Sequence, residues 1–369
     1  MKRYFLIISS IFLSFLLSSC INKGETDSTK YNSDTNNSSN SKYEDKNIIT
    51  KDTRSELTIK DYYPIFENAQ YFYEGSGNEY ASYNVLTDYV SENRIQLRSD
   101  NGGTEMVKVL EYEDGQLYVL MYKGGCYYRE NLTKTSVEGI EIILKEPLIK
   151  GTSWVLPDNR KRYISNVEVE VTTPLGNFKT LEVTTENEVG KTCDYYAPNI
   201  GLVKTAYSSD GLNVSSTLSE IKKNVPYTQT VRFYYPNIED DKLYFVDKKL
   251  SFHTNDMTKV MLEKGFKDLP QKDWGRVLGP NVKIKSLYLN KDNIVYVDFT
   301  KELVEEMNAG SGYETMILQS ITNTLGTYYG VEKVYITIEG EPYGSGHIIK
   351  EKGETFTVDL KNSVELKSE

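Results

Sequence analysis

The chain is poor in the residues that carry most enzymatic and metal chemistry. Among 369 residues there are two histidines, three cysteines and two tryptophans. His253 and His347 stand apart, with no H-x-x-x-H spacing, neighbouring nucleophile or Cys/His partner, so neither reads as a zinc ligand or a general base. Cysteines at 20, 126 and 193 cannot supply a four-ligand metal site. No G-x-S-x-G elbow, phosphate-cradling loop or paired-cysteine zinc motif occurs. Only a glycosidase-type carboxylate pair stays open, because such pairs have no fixed spacing in the chain. Positive charge is also in the minority: 43 Lys and Arg against 53 Asp and Glu give a net charge of −10, and loss of Lys2 and Arg3 with a leader makes the rest more acidic. That balance disfavours nonspecific binding to nucleic acid or anionic lipid. The expectation is a protein without enzymatic activity, cofactor or metal.

A membrane-spanning run is missing as well. The apolar stretch Tyr4 to Leu17 falls short of the ~20 residues a spanning helix needs. It follows Lys2 and Arg3 and ends in Leu17-Ser18-Ser19-Cys20, the pattern of a bacterial lipobox, so residues 1–19 read as a lipoprotein signal peptide. Cys20 is then the expected lipid attachment, its thiol carrying a diacylglyceryl group with palmitate-type chains. Two or more acyl chains anchor stably where one is marginal. The expected location is the extracytoplasmic face of the cell membrane, lipid-anchored. Residues 20–57 follow as lipidated cysteine and tether. Their Asn, Ser, Thr, Asp and Lys cannot bury enough surface to offset chain entropy, and a coil of this length spans about 35 Å.

What is abundant is tyrosine, 30 residues, much of it in short strand-like runs. Over 58–222 these are Tyr71-Phe-Tyr73, Asn93 to Leu97, Met106 to Leu110, Leu117 to Met121, Ile140 to Leu144, Val167 to Thr172, Phe178 to Thr184 and Val214 to Leu218. Asn101-Gly-Gly103, Asp114-Gly115, Pro174 to Asn177 and Asp210-Gly211 supply hairpin turns between them. Many short strands without a helix predict an all-β antiparallel domain, a sandwich or an open barrel. Cys126 and Cys193 lie in strand-like stretches. They form a disulfide if those strands are neighbours, or remain two partly buried free thiols.

From 226 to 369 the pattern changes to α+β. Strands are expected at Thr230 to Tyr235, Leu243 to Phe252, Lys283 to Leu289, Ile294 to Phe299 and Lys333 to Ile338. One helix runs through Met257 and Met261, with Thr254 as its cap, and a loop carries Trp274. A longer helix is bracketed by Ser311 and Glu314, an S-x-x-E capping box, and by Gly330 as a left-handed stop. Tyr313, Ile317, Ile321, Thr324, Leu325 and Tyr328 form its sheet-facing side. The economical arrangement is a mixed sheet with helices on one face. Between Glu314 and Glu332 there is no charge. The far side of the helix, with Gln319, Thr322, Asn323 and Gly326, is therefore either covered within the chain or is a candidate interface where another subunit approaches closely.

Several pieces of this segment stand in the order of a known family. Val231-Arg-Phe-Tyr-Tyr-Pro236, Val297-Asp-Phe-Thr300, Gly310-Ser-Gly312, Thr324-Leu325, Gly330-Val-Glu-Lys-Val334, Glu339-Gly-Glu-Pro342 and Ser345-Gly-His347 together resemble the GerMN domain of GerM-like sporulation and spore-germination lipoproteins of Gram-positive bacteria. The resemblance implies the α+β fold just described and a role in envelope assembly between mother cell and forespore. It departs from GerM in carrying one GerMN copy and a preceding β domain. The expected function is a lipid-anchored binding or scaffold protein, its partner another envelope protein or a second copy. The alternative is a wall-binding lipoprotein that holds peptidoglycan on the aromatic β domain.

Overall fold

Alternating β-branched or aromatic residues, punctuated by glycine-containing turns, fold as a long antiparallel meander. At Asp114-Gly115 the backbone takes φ 47° and 67°, the pair of left-handed residues that lets a two-residue turn match the twist of its strands. The computed structural model describes residues 57–135, 141–270 and 275–366. The expected signal peptide, lipobox, Cys20, most of the tether and Trp274 lie outside them. A short helix α1 (Ile59–Tyr62) precedes twelve strands: β1 (Ala69–Ser76), β2 (Tyr83–Val90), β3 (Arg94–Asp100), β4 (Glu105–Glu113), β5 (Gln116–Gly124), β6 (Glu141–Lys145), β7 (Ser153–Val155), β8 (Lys161–Thr173), β9 (Gly176–Glu186), β10 (Gly190–Ala197), β11 (Gly201–Ser209) and β12 (Leu212–Lys223).

They form one sheet in the order β6-β5-β4-β3-β2-β1-β12-β11-β10-β9-β8-β7. Two meanders, β1 to β6 and β7 to β12, are thus joined where β1 pairs with β12, from Ala69 opposite Lys223 to Ser76 opposite Ser215. The outer edges meet through side chains. Trp154 Nε1 and Arg162 Nη1 both donate to the Ile142 carbonyl, at 3.0 and 2.7 Å, and Arg162 pairs with Glu141 at 2.5 Å. The result is a near-barrel, which decides against the sandwich. One end is filled by Leu110, Leu117, Leu144, Ile164, Leu181 and Tyr196, closed off by Ile59 of α1. Strands β2, β7, β10 and β11 were not among the runs expected from the sequence.

The C-terminal half follows directly, β13 opening at Tyr227 four residues after β12 ends. Its elements are β13 (Tyr227–Asn237), β14 (Lys242–Phe252), α2 (Thr258–Lys267), β15 (Ile284–Leu289), β16 (Ile294–Phe299), α3 (Glu302–Glu305), α4 (Ser311–Tyr329), β17 (Lys333–Ile338), β18 (Glu341–Pro342), β19 (Phe356–Thr357) and β20 (Ser363–Glu365). The expected single sheet is in fact two. β13, β14 and β20 make one; β15 to β18, with β19 on β17, make a smaller mixed sheet in which β16 and β17 are parallel and α3 and α4 form the crossover. Among the described residues no helix is long and apolar enough to cross a membrane.

Helix α4 lies between the two sheets instead of on one face. Ile317, Ile321 and Leu325 pack with Val295, Val297, Phe299, Val334 and Ile336 of the mixed sheet, while the Tyr234 amide of β13 donates to Thr324 Oγ1 at 3.1 Å. The remaining side is covered by the chain's own C-terminal segment. Gln319 Nε2 donates to the Thr357 carbonyl at 3.0 Å, and Asn323 exchanges bonds with the backbone of Asp359 at 2.6 and 3.0 Å. Thr322 and Asn323 are fully buried, and a Cβ on Gly326 would sit 2.2 Å from Val358. The neutral face of Gln319, Thr322, Asn323 and Gly326 is therefore an internal surface and not an interface with another subunit. Lys or Glu is missing there because the face is largely covered: Thr322, Asn323 and Gly326 are buried and Gln319 is half-buried.

Candidate functional site

The family-like motifs are spent on holding the C-terminal half together. Asp298 of β16 accepts from Thr337 Oγ1 at 2.7 Å and from the Gly340 amide at 2.8 Å, which locks the turn after β17. Glu339 reaches back to the Lys301 amide at 3.1 Å and to Lys285 at 2.5 Å. The capping box does not form. Gly310 occupies the N-cap and Ser311 is already helical, so Glu314 is free to turn inward, where it accepts from Tyr343 Oη at 2.7 Å and Ser345 Oγ at 2.5 Å. Gly330 closes the helix at φ 69° as expected. Among the described residues these polar groups are paired with one another, so they position loops.

The strongest electrostatic feature lies where the C-terminal half meets the outer wall of the barrel. Asp88 of β2, with its side chain 0% exposed, sits between two guanidiniums, Arg98 Nε and Arg129 Nε each at 3.0 Å, both about as buried. Arg98 continues to Glu105 at 2.7 Å and to the carbonyls of Cys126 and Tyr128. Arg129 continues to the carbonyls of Asp88, His253 and Asp256 and stacks over Tyr89 and Phe252, 4.2 and 5.0 Å from the ring centroids. Around this centre, Tyr328 Oη accepts from the Arg129 amide at 2.9 Å and donates to Gln229 at 3.0 Å. Thr254, expected as a helix cap, instead bonds Asn68 and the Thr87 carbonyl at 2.8 and 2.9 Å, and Met257 takes the N-cap. Two arginines with one carboxylate, Asp88 and Arg98 on β2 and β3 and Arg129 in the segment after β5, form a fastening, because each charge is satisfied within the chain. Val107, Cys126 and Tyr128 of the barrel side enter the same apolar core as the C-terminal half, and Leu57–Glu369 form one compact unit.

A cavity of about 350 Å³ borders this seam, lined by Phe72, Leu86, Arg98, Asp100, Glu105 and Tyr227 among others. Its charged groups are engaged: Arg98 with Asp88 and Glu105, Asp100 with the Gly102 amide, Glu105 also with Tyr227 Oη. The other expected sites are resolved too. Cys126 and Cys193 are both free and buried, so the disulfide does not form; Cys126 lies past the end of β5, and burial pushes its thiol pKa up. His253 Nδ1 stands 3.5 Å from Asp256 on the surface and contributes its carbonyl to Arg129. The His347 amide donates to Ser345 Oγ at 3.0 Å within a turn.

The mixed sheet carries a feature that single-strand patterning did not reveal. Tyr288, Tyr296 and Tyr335 stand opposite one another on β15, β16 and β17. Tyr288 and Tyr296 stack at 5.3 Å and 17°, and Tyr296 meets Tyr335 edge-on at 5.0 Å. The ladder is on the face opposite Val295, Val297 and Ile336, so it points away from α4. Tyr335 is buried, Tyr296 half-buried and Tyr288 43% exposed. Only the register of three strands brings these residues together, and that is not readable from any one run.

Residues 232–344 match the Germane family model, described as sporulation and spore germination. No curated protein matches the chain significantly. Among solved structures, the tandem GerMN domains of the sporulation protein GerM from Bacillus subtilis are 22% identical over 34% of this chain and 45% of that one, at a TM-score of 0.27. This chain thus spans less than half of that structure. An exported protein of YmcC-like fold from Bacteroides fragilis is 17% identical over 44% of this chain and 98% of that one, at a TM-score of 0.29. A protein described as a lipoprotein, from Clostridium perfringens, is 15% identical over 36% and 88%, at a TM-score of 0.24. Structural likeness at these levels carries no weight by itself, and the assignment rests on the family match in sequence. Over residues 232–344, in its C-terminal half, the chain thus carries a Germane domain and is similar to the GerMN domains of GerM-like sporulation proteins.

Proposed function

We propose that this is a lipid-anchored extracytoplasmic protein, held by Cys20, that binds and does not catalyse, its GerMN domain contacting another envelope protein during sporulation or germination. The observation that carries the reading is the tyrosine ladder. With the motif residues paired internally and the neutral side of α4 covered, Tyr288 is the most exposed aromatic group among the described residues of this half, with half-buried Tyr296 stacked beside it. Aromatic side chains on rigid elements are favoured as interface anchors, since they bury much area with little loss of conformational freedom. The glycan alternative would rest on Tyr80, Tyr122 and Tyr127, which are 53%, 42% and 58% exposed, since Tyr73 and Tyr196 are buried.

The test is in-cell photocrosslinking of the full-length lipoprotein with a benzophenone amino acid at position 288, and at Val155 on the far edge of the barrel as control. A discrete protein adduct at 288 that is missing at 155 supports the reading, and an adduct of twice the chain's mass identifies the partner as a second copy. Loss of acyl labelling in Cys20→Ala checks the anchor in the same cells. Retention on purified peptidoglycan with no adduct at 288 rejects the protein-binding reading in favour of the glycan one.

A further inference from the structure

The inside of the barrel changes character along its length. Beyond the apolar end sealed by α1, the next inward positions carry Lys108 on β4, Tyr122 on β5, Glu141 on β6, Arg162 on β8, Asp194 on β10 and Thr205 on β11. Their inward placement follows from register: Lys108 stands opposite both Leu97 and Tyr122, Asp194 opposite both Val183 and Thr205, and Arg162 opposite Thr185. It also follows from charge. β4 and β10 are six strands apart in the sheet, about 29 Å along an unrolled sheet, yet the Lys108 ammonium and the Asp194 carboxylate each feel the other's charge. Only a path across the lumen brings them close enough.

Within this layer some charges are committed and others are not. Arg162 is fully used by Glu141, Thr185 Oγ1 and the Ile142 carbonyl, at 2.5, 2.7 and 2.7 Å, and with them it closes the barrel. Asp194 takes one bond, from Thr205 Oγ1 to its Oδ1 at 2.6 Å. Among the described residues the Lys108 ammonium makes no hydrogen bond or ion pair. Its charge is met by Glu141 and, less, by Asp194 without contact; its ring contact is Tyr122, 5.3 Å from the centroid, and Tyr122 itself is 42% exposed. Lys108 and Asp194 are both half-buried on the inward side of their strands, and no ion pair joins them among the described residues. Burial pushes the lysine pKa down and the aspartate pKa up, so each group is held in a setting that disfavours its charge. A charged group so placed gains by acquiring a counter-charge.

We propose that the open end of the barrel binds a small zwitterion, a free amino acid or the end of a short peptide, with its carboxylate on Lys108 and its ammonium on Asp194. The four fixed charges, Lys108, Arg162, Glu141 and Asp194, sum to zero, so a ligand of zero net charge leaves the lumen neutral. A simple anion would satisfy Lys108 but face Asp194, and a simple cation would do the reverse. An acyl chain has no place to go, because the lumen beneath is filled by Leu110, Leu117, Ile164, Leu181 and Val183, each almost entirely buried. Tyr122 at the rim is placed to cover the bound molecule.

Isothermal titration calorimetry on the chain from Gly24 to Glu369, which retains the whole compact unit, tests this. The probes are a panel of free amino acids, alanylalanine, N-acetylalanine, alanine amide and myristate. Saturable binding is expected for at least one amino acid or for alanylalanine, with the acetylated and amidated analogues at least tenfold weaker and myristate silent. Lys108→Met and Asp194→Asn are each expected to weaken that binding at least tenfold with an unchanged circular dichroism spectrum. Tyr122→Ser, at an exposed position, is expected to weaken it several-fold, and this variant carries the test should either charge variant fail to fold. No binding across the panel, N-acetylalanine binding as tightly as alanylalanine, or Lys108→Met binding like wild type would each overturn the proposal.

Discussion

Asp88 shows how much one side chain contributes when its surroundings leave it no water. Among the described residues its carboxylate is the one that bridges Arg98 and Arg129, and all three side chains are at most 1% exposed. Asp88→Asn leaves two buried guanidiniums facing a neutral amide, and breaking such a group costs roughly 3–5 kcal/mol. The surface pair Arg160–Asp158 has better than a third of each side chain exposed, so Asp158→Asn is expected to cost less than about 1 kcal/mol. Urea denaturation of the two variants measures the contrast, and equal midpoints would show that the buried fastening is not what holds the barrel to the GerMN domain. None of this was legible in the sequence. Asp88, Arg98 and Arg129 carry no motif, and a charged residue in a strand reads first as a solvated position.

At the scale of the element, helix α4 shows which signals the sequence carries and which it cannot. Its extent, its stop at Gly330 and its apolar side follow from local pattern, since they depend on residues three or four apart. The meaning of its neutral side depends on Phe356 to Asp359, a segment whose contacts lie 32 to 38 residues further along the chain and which has no periodicity of its own. The same S-x-x-E spacing that predicts a capping box also suits a carboxylate turned toward Tyr343, and only the packing decides. Strand β11 escaped detection, and β10 was legible only as a strand-like stretch around Cys193, for a related reason: their inward positions carry Asp194 and Thr205, which break the apolar alternation that marks a strand. Replacing glycine by alanine inside a helix ordinarily gains about 1 kcal/mol. For Gly326→Ala the sign is expected to reverse, because the new methyl would meet Val358 at 2.2 Å and the Val331 carbonyl at 2.9 Å. Thermal denaturation should place this variant below wild type, and adding Val358→Ala should recover part of the loss. A more stable Gly326→Ala would mean that the C-terminal segment is not seated on the helix.

At the scale of the molecule, two segments that the composition separates near Pro226 share one apolar core through Val107, Cys126 and Tyr128. Each also has its own apolar packing, the barrel through the clusters around Leu110 and Val203 and the C-terminal half around Phe233 and Ile321. In the intact chain the shared core and the buried arginines predict a single transition, with circular dichroism and tyrosine fluorescence giving the same midpoint. Two resolved transitions would show that the halves are coupled only weakly. The joining of the two barrel meanders has a further consequence, in time instead of space. Within each meander a strand pairs with the neighbour made just before it, so closure there is local and fast; β1 alone waits for β12, the last of the twelve to be synthesised. Throughout that interval Tyr71, Phe72 and Tyr73 sit on an unpaired edge, the kind of template to which other chains add. A nascent or truncated chain that ends short of Leu212 should therefore be the aggregation-prone species, and speeding the arrival of β12, for instance by circular permutation that places it ahead of β1, should raise the yield of folded protein.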